Sequence, residues 1–364
     1  MPVPPSERLE RTASAAARAR LDTVLVTPSA DLVYLTGYDP PPLERLTCLA
    51  VRPGRPAILL VPELERPLAE STVKAPVEVV SWTETEDPFD LIRRIVGKGR
   101  RVACSDRMWA MHVLRIQRAL PHASFLAASR ILGPLRAIKD PEEVDRLARA
   151  ARYADEAFGR VTRSRLESVT ERDVAGRLTE LLLELGNEQV TFTIVGSGPN
   201  AASPHHRPGD RTIQARDPVV MDFGGRAAGY CSDITRTVAI REATVELREV
   251  HDIVREAQER AFGAVRPGVP AQDVDRAARE VIEQAGYGDR FIHRTGHGIG
   301  LEEHEDPYLV EGNETLLQPG MCFSIEPGIY LPGRLGVRIE DIVAVTEEGA
   351  RRLNRASRDL EIVP

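Results

Sequence analysis

Four carboxylates stand in or against apolar, strand-forming runs, and no other feature restricts the fold more. Asp222 follows Pro218-Val-Val-Met221, and Asp233 follows eleven residues later, after a Gly-Tyr turn. Glu326 closes Cys322-Phe-Ser-Ile325, and Glu340 lies in Val337-Arg-Ile-Glu-Asp341. A buried, unpaired carboxylate costs several kcal/mol, so each position needs a cation or a donor. Any one of them reads as a salt bridge or a strand-end carboxylate. Four in one half of the chain point to a shared cation site.

A histidine joins them. In Thr295-Gly-His-Gly-Ile-Gly-Leu-Glu-Glu-His-Glu-Asp-Pro307, His297 sits between two glycines that leave no side chains to crowd it, and His304, Glu305 and Asp306 follow. Four carboxylates and one neutral imidazole carry −4, which two divalent cations cancel and one does not. Oxygen-rich donors with one imidazole suit Mn2+, Co2+ or Zn2+. Two such ions can hold a bridging hydroxide and polarise a carbonyl.

Around these residues the chain changes texture once. After a helix at about residues 6–20, short apolar runs (23–27, 48–52, 57–61, 77–81, 101–104) alternate with helical patterns at 88–96 and 108–119. This predicts a small α/β domain. The segment Leu35–Pro42 reads as a proline-stiffened loop. From Asp140-Pro-Glu-Glu143 a capped helix begins, and a second starts at Thr170, with Asp173 in the capping position, and stops at Gly186. Strands are expected at 190–195, 218–223 and 232–240. Helices at 245–265 and 271–285 then precede strands at 321–325 and 336–345. Helix, helix, strands thus occurs twice, predicting two similar halves with a ligand cleft between them. The fold expected is α+β, with domains at 1–135 and 136–364.

A net charge of −7 gives no invitation to nucleic acid or an anionic membrane, and no apolar run approaches a membrane span. The opening stretch lacks the apolar run of a secretory signal. Cys48, Cys104, Cys231 and Cys322 are scattered singly and read as reduced and cytoplasmic, the last two near the acidic strands. Gly296-x-Gly298-x-Gly300 is not the GxGxxG of dinucleotide sites, and neither HExxH nor GxSxG is present.

The runs Asp222-Phe-Gly-Gly, Gly229-Tyr-Cys-Ser-Asp233-Ile-Thr-Arg-Thr237, Gly296-His-Gly-Ile-Gly-Leu, His304-Glu-Asp-Pro307, Ser324-Ile-Glu-Pro-Gly-Ile-Tyr330 and Gly336-Val-Arg-Ile-Glu-Asp341 resemble the pita-bread metallopeptidases. Prolidase (Xaa-Pro dipeptidase), aminopeptidase P and methionine aminopeptidase belong to that family. The α/β domain and Ser203-Pro-His-His-Arg-Pro-Gly-Asp210 resemble its proline-directed branch. Leu25–Tyr38 and Pro42–Cys48 look most like its actinobacterial dipeptidases.

The resemblance implies an N-terminal creatinase-like domain that shapes access to a partner's cleft in a homodimer. It implies two divalent metal ions, Mn2+ foremost with Co2+ or Zn2+ as alternatives: Asp222 on one, His297 and Glu326 on the other, Asp233 and Glu340 bridging. A bridging hydroxide would attack the carbonyl before proline, with Glu326 passing the proton onward. His205 and His304 would contact substrate and oxyanion, and Arg338, two residues before Glu340, would share its strand face. Tyr230, Tyr308 and Tyr330 are candidate pocket residues. The substrate implied is an Xaa-Pro dipeptide; the alternatives are longer peptides, as for aminopeptidase P, or a metal-free relative of the same fold. Tyr308 departs from the arginine that some archaeal prolidases place there for the proline carboxylate. Arg338, His206 and Arg207 are left as candidates for that task.

Overall fold

The computed structural model describes residues 3–364. The chain divides into two compact units, the first ending at Arg136 and the second running Ala137–Pro364.

The first unit is one mixed sheet with helices. Its strands are β1 (Thr23–Val26), β2 (Cys48–Val51), β3 (Ala57–Pro62), β4 (Val77–Trp82), β5 (Arg101–Cys104) and β6 (Ser124–Ala127), in the order β4-β3-β2-β1-β5-β6. The β1/β2 and β2/β3 pairs are antiparallel and the other three parallel. Its helices are α1 (Pro5–Arg18), α2 (Ala30–Thr36), α3 (Arg66–Thr72), α4 (Pro88–Val96), α5 (Ala110–Ala119) and α6 (Ser129–Ala137). Leu25, Leu60, Phe89, Ile92 and Ile116 belong to its core. The segment expected as a loop from Leu35 instead begins inside α2, which Leu32 and Leu35 anchor by full burial.

The second unit carries the repeated order. Helices α7 (Pro141–Thr162) and α8 (Glu171–Glu184) precede β7 (Gln189–Ser197), β8 (Pro218–Ala227), β9 (Tyr230–Cys231) and β10 (Ile234–Ile240). Helices α9 (Val245–Ala264) and α10 (Ala271–Gln284) precede β11 (Gly296–Gly298), β12 (Glu305–Leu309), β13 (Cys322–Ile325), β14 (Gly328–Leu331), β15 (Leu335–Arg338), β16 (Asp341–Val345), β17 (Ala350–Arg352) and β18 (Glu361–Val363). One sheet runs β18-β10-β8-β7 with β9 on β8; the other runs β12-β11-β13-β16-β17, and β14 and β15 form a hairpin. This is the α+β pita-bread arrangement of two helix-helix-strand halves.

Local chemistry explains the helix starts. Asp140 accepts the Glu143 N–H at 2.9 Å while the Glu143 carboxylate accepts the Asp140 N–H at 2.9 Å, a reciprocal cap. At α8 the cap is Thr170 itself: its hydroxyl accepts the Asp173 N–H at 3.1 Å, so Asp173 is the capped residue rather than the cap. No helix among the described residues is long and apolar enough to cross a membrane.

Two expectations are corrected. Asp222 lies mid-strand, because β8 continues to Ala227 as the partner of both β7 and β10. The single strand expected over 336–345 is broken at Ile339–Glu340. Residues 335–338 pair with 328–331, residues 341–344 pair with 322–325, and Glu340 between them bridges to Thr235. Arg338 and Glu340 therefore do not share a strand face.

Candidate metal centre

The two sheets of the second unit meet at the Thr235–Glu340 bridge, and the ligand-type residues collect around it. Asp222 is opposite Thr235 in the β8/β10 ladder. Asp233 lies in the two-residue link between β9 and β10, His297 at the centre of β11, Glu326 directly after β13, and Glu340 in the gap between β15 and β16. All five line one cavity of about 750 Å³.

The glycines beside His297 have a stricter reason than open space for the imidazole. A Cβ on Gly296 would overlap the Ser324 carbonyl, and one on Gly298 would overlap the Asp306 carbonyl. Only glycine lets β11 sit between its neighbours this closely. His297 donates its N–H to Ser324 Oγ at 3.0 Å. Its Nδ1 lies 3.1 Å from the Gly298 carbonyl, which only accepts, so Nδ1 carries a proton. Nε2 then faces the acidic cluster, 3.3 Å from Glu326 Oε1 and 3.8 Å from Asp233 Oδ2.

Ligand atoms of Asp233, His297 and Glu340 all lie within 4.8 Å of one another. Asp233 Oδ1 and Glu340 Oε1 are buried with no hydrogen-bond partner among the described residues. In the protein alone, burial pushes Asp233 well above the usual carboxylate range, with repulsion from Glu340 and Asp222 added. Burial does the same to Glu340, reinforced by Glu326 and Asp222. Orphaned carboxylate oxygens beside an imidazole fit hard or borderline divalent cations. Asp222 and Glu326 flank this trio but are engaged. Asp222 Oδ2 accepts from Arg338, and Glu326 Oε1 accepts from Ser324 Oγ at 3.0 Å. Burial raises Asp222 despite Arg338. Burial also works on Glu326, but the hydrogen bond and charge of His297 hold it at about 2.

The other expected residues divide. His205 and His304 both line the cavity and are exposed. His304 stands against His297 with ring centroids 4.0 Å apart, and partial desolvation of its imidazole, with the nearby His297, brings it down to about 4. Arg338 donates to the Tyr330 hydroxyl at 2.7 Å, to Thr235 Oγ1 at 3.1 Å and to the Pro204 carbonyl at 3.3 Å, besides Asp222. It is a positioning residue for Asp222. His206 is drawn aside to Glu171, with Nε2 2.8 Å from Oε2. The Tyr230 hydroxyl donates to Glu143 at 2.6 Å, and Tyr330 hydrogen-bonds His293 at 2.8 Å. Neither these two tyrosines nor Tyr308 lines the cavity. Burial pushes the Cys231 and Cys322 thiols to about 12, so neither supplies a thiolate near neutral pH.

Sequence reasoning missed Phe192, Ile194, Ile292, His293, Arg294 and Glu303, all of which line the cavity. The period-two placement of Phe192 and Ile194 in β7 was a readable signal. Two buried carboxylates also hold the site from behind. Glu171 accepts from Ser197 N–H (2.8 Å), Ser197 Oγ (2.7 Å), Asn200 Nδ2 (3.0 Å) and Gly209 N–H (3.3 Å), pinning the loop that carries His205. Lys139 Nζ meets Glu305 Oε1 at 2.6 Å, next to His304.

Comparison with known proteins agrees with this arrangement. The model of metallopeptidase family M24 matches residues 145–347, and that of the creatinase/prolidase N-terminal domain matches residues 8–138. The chain is 43% identical over 364 residues to a probable dipeptidase PepE of Mycobacterium bovis, covering 99% of this chain and 96% of that one. It is 38% identical to an Xaa-Pro dipeptidase of Lactobacillus helveticus, covering 94% and 95%. The crystal structure of dipeptidase PepE from Mycobacterium ulcerans superposes with a TM-score of 0.95 at 42% identity, covering 99% of this chain and 98% of that one.

Proposed function

The chain belongs to metallopeptidase family M24 and carries a creatinase/prolidase N-terminal domain, and on that footing we propose that it is a dinuclear Xaa-Pro dipeptidase. The observation that carries the reading is the buried trio Asp233, His297 and Glu340, with two carboxylate oxygens that find no donor among the described residues. Asp222 would hold one cation, His297 and Glu326 the other, and Asp233 and Glu340 both. When bound, such a pair supplies a Lewis acid for the carbonyl and a water ionised near neutral pH. Relatives named dipeptidase and Xaa-Pro dipeptidase, aligned over nearly the whole chain, support the substrate class.

The chain's own residues do the rest. Phe192, Ile194 and Ile292 form an apolar wall suited to a pyrrolidine ring. The nitrogen of an Xaa-Pro bond has no hydrogen and must gain a proton to leave. Glu326 would accept a proton from the attacking water and deliver it to that nitrogen. His205 and His304, at the exposed edge of the cavity, contact the substrate and the developing oxyanion. Arg338 orients Asp222 and favours its ionised form against the pull of burial.

The reading extends to manganese as the working metal, to the cytoplasm, which four free, buried cysteines favour, and to a homodimer. Trp109, Met111 and Leu114, each exposed at or within α5, are apolar groups that a dimer contact would cover. Hydrolysis of Ala-Pro beside Ala-Pro-Ala with Mn2+, and with chelator as control, tests the function. Preference for the dipeptide is expected. Preference for the tripeptide would make the enzyme an aminopeptidase, and cleavage of neither would refute the substrate class.

A further inference from the structure

We propose that Glu303 makes this cleft selective for Xaa-Pro dipeptides whose first residue carries a cationic side chain, lysine or arginine. The inference rests on the Xaa-Pro peptidase reading above and deepens it by naming the preferred Xaa.

Five carboxylates line the cavity: Asp222, Asp233, Glu303, Glu326 and Glu340. Two divalent cations cancel four of them, and Glu303 is the one left over. It is half-buried, and no hydrogen bond or ion pair to its carboxylate is present among the described residues. The two guanidinium groups of the cavity are placed elsewhere. Arg338 pairs with Asp222, and Arg294 stands over the Tyr308 ring, 4.4 Å from its centroid, with no ion pair to Glu303 among the described residues. A carboxylate that gives up part of its water and meets no donor leaves a favourable interaction unmade. A cation carried by the substrate supplies it.

The mount is fixed. Glu303 lies in the link between β11 and β12. The Ile299 N–H donates to the Cys322 carbonyl at 3.1 Å, the Cys231 N–H to the Gly300 carbonyl at 2.8 Å, and the Gly300 N–H to the Glu302 carbonyl at 2.9 Å. Just beyond, Lys139 anchors Glu305 at 2.6 Å. Binding then has little to order except the Glu303 side chain itself.

The surroundings favour a side-chain cation over the α-ammonium. Every Xaa-Pro dipeptide carries the ammonium one carbon from the attacked carbonyl, which keeps it beside the metal ligands, and Glu303 is not one of them. The Glu303 charge interacts with those of His297 and Asp222. Ile194 is opposite Asp222 in the β7/β8 ladder, and Phe192 stands two residues along the same strand. Both line the cavity, so an apolar strip runs along the Asp222 side, where Glu303 acts. A lysine or arginine side chain matches that sequence of surfaces: its methylene stem covers apolar groups while its head reaches a carboxylate. A cavity of about 750 Å³ has room for so long a side chain beside proline.

The test measures kcat/KM for Lys-Pro, for norleucyl-Pro, its uncharged near-isostere, and for Ala-Pro on the Mn2+-loaded full-length enzyme, wild type against Glu303→Gln and Glu303→Lys. Lys-Pro and norleucyl-Pro share the α-ammonium, so their ratio reads the side-chain charge alone. Wild type is expected to favour Lys-Pro by roughly 10- to 100-fold, the scale of one charge-assisted hydrogen-bonded pair. Glu303→Gln should bring the ratio towards one, chiefly through KM for Lys-Pro, and Glu303→Lys should invert it. Bound manganese and thermal unfolding, measured on each variant, identify any that fails to fold, and the other then carries the comparison. A wild type that cleaves Ala-Pro without preferring Lys-Pro overturns the selectivity and leaves the peptidase reading standing. So does a preference that Glu303→Gln keeps, or a loss in Glu303→Gln shared equally by all three substrates, which would put Glu303 on the α-ammonium. A wild type that cleaves none of the three overturns the reading and the inference together.

Discussion

Thr235 holds Glu340 twice: its hydroxyl donates to Oε2 at 2.7 Å, and its carbonyl accepts the Glu340 N–H at 3.0 Å. The first contact leaves Oε1 as the oxygen without a partner, and the second fixes the backbone where β15 hands over to β16. One residue of β10 thereby aims a carboxylate that belongs to the other half of the unit.

Removing only the hydroxyl tests this aim. Thr235→Val keeps the shape but strips a donor from a buried carboxylate, a loss of about 1–3 kcal/mol. Manganese affinity should fall by roughly tenfold or more, read by competition with a fluorescent chelator, and Thr235→Ser should restore most of it. Unchanged affinity in the valine variant would show that Glu340 does not need Thr235.

Glu340→Gln separates function from stability. Losing this carboxylate from the proposed metal centre should lower Ala-Pro hydrolysis more than about 100-fold. In protein stripped of metal the same change removes repulsion from Glu326 and Asp222 and spares the burial of a charge. Stripped Glu340→Gln should therefore unfold at a temperature no lower than stripped wild type. A clearly lower value would mean that the carboxylate has a structural partner.

Glu171 is a case of the opposite kind. Its two oxygens collect donors from Ser197, Asn200, His206 and Gly209, so Glu171→Ala orphans several buried groups at once. A stability loss of about 3 kcal/mol is expected from urea unfolding. Faster hydrogen exchange at the Ser197 and Gly209 amides should accompany a drop in kcat/KM, because His205 rides on this loop. Normal exchange with reduced activity would contradict the account.

The second unit also has a pH-sensitive element remote from the centre. Burial in α9 brings His251 down from 6.5 to about 4. A depressed histidine favours its neutral form in the fold. Its stabilisation is present above about pH 6.5 and is lost as pH falls to about 4, a change of roughly 3 kcal/mol. Urea midpoints across that window should fall less steeply in His251→Gln than in wild type. Equal slopes would show that His251 charges as freely in the fold as outside it.

Much of this was legible in the sequence, for reasons that can be named. Asp140-Pro-Glu-Glu143 announces a helix start because capping is local chemistry, and α7 begins there. Asp222, Asp233, Glu326 and Glu340 stand out because a carboxylate in an apolar run is costly unless something answers it. What escaped depends on distant partners. The break at Ile339–Glu340 leaves no mark, since the apolar pattern continues while the pairing strand changes from β14 to β13. Helix α2 is seven residues long and owes its stability to buried Leu32 and Leu35 rather than to a repeating pattern.

The central claim is that two cations, held by one set of five side chains, carry Xaa-Pro cleavage. Stepwise return of Mn2+ to chelator-stripped protein, with bound metal and Ala-Pro hydrolysis measured on the same samples, tests it most directly. The account predicts that hydrolysis rises to a plateau at about two ions per chain, the number that cancels four carboxylates. Full activity at a single ion, or undiminished activity with none, would contradict it.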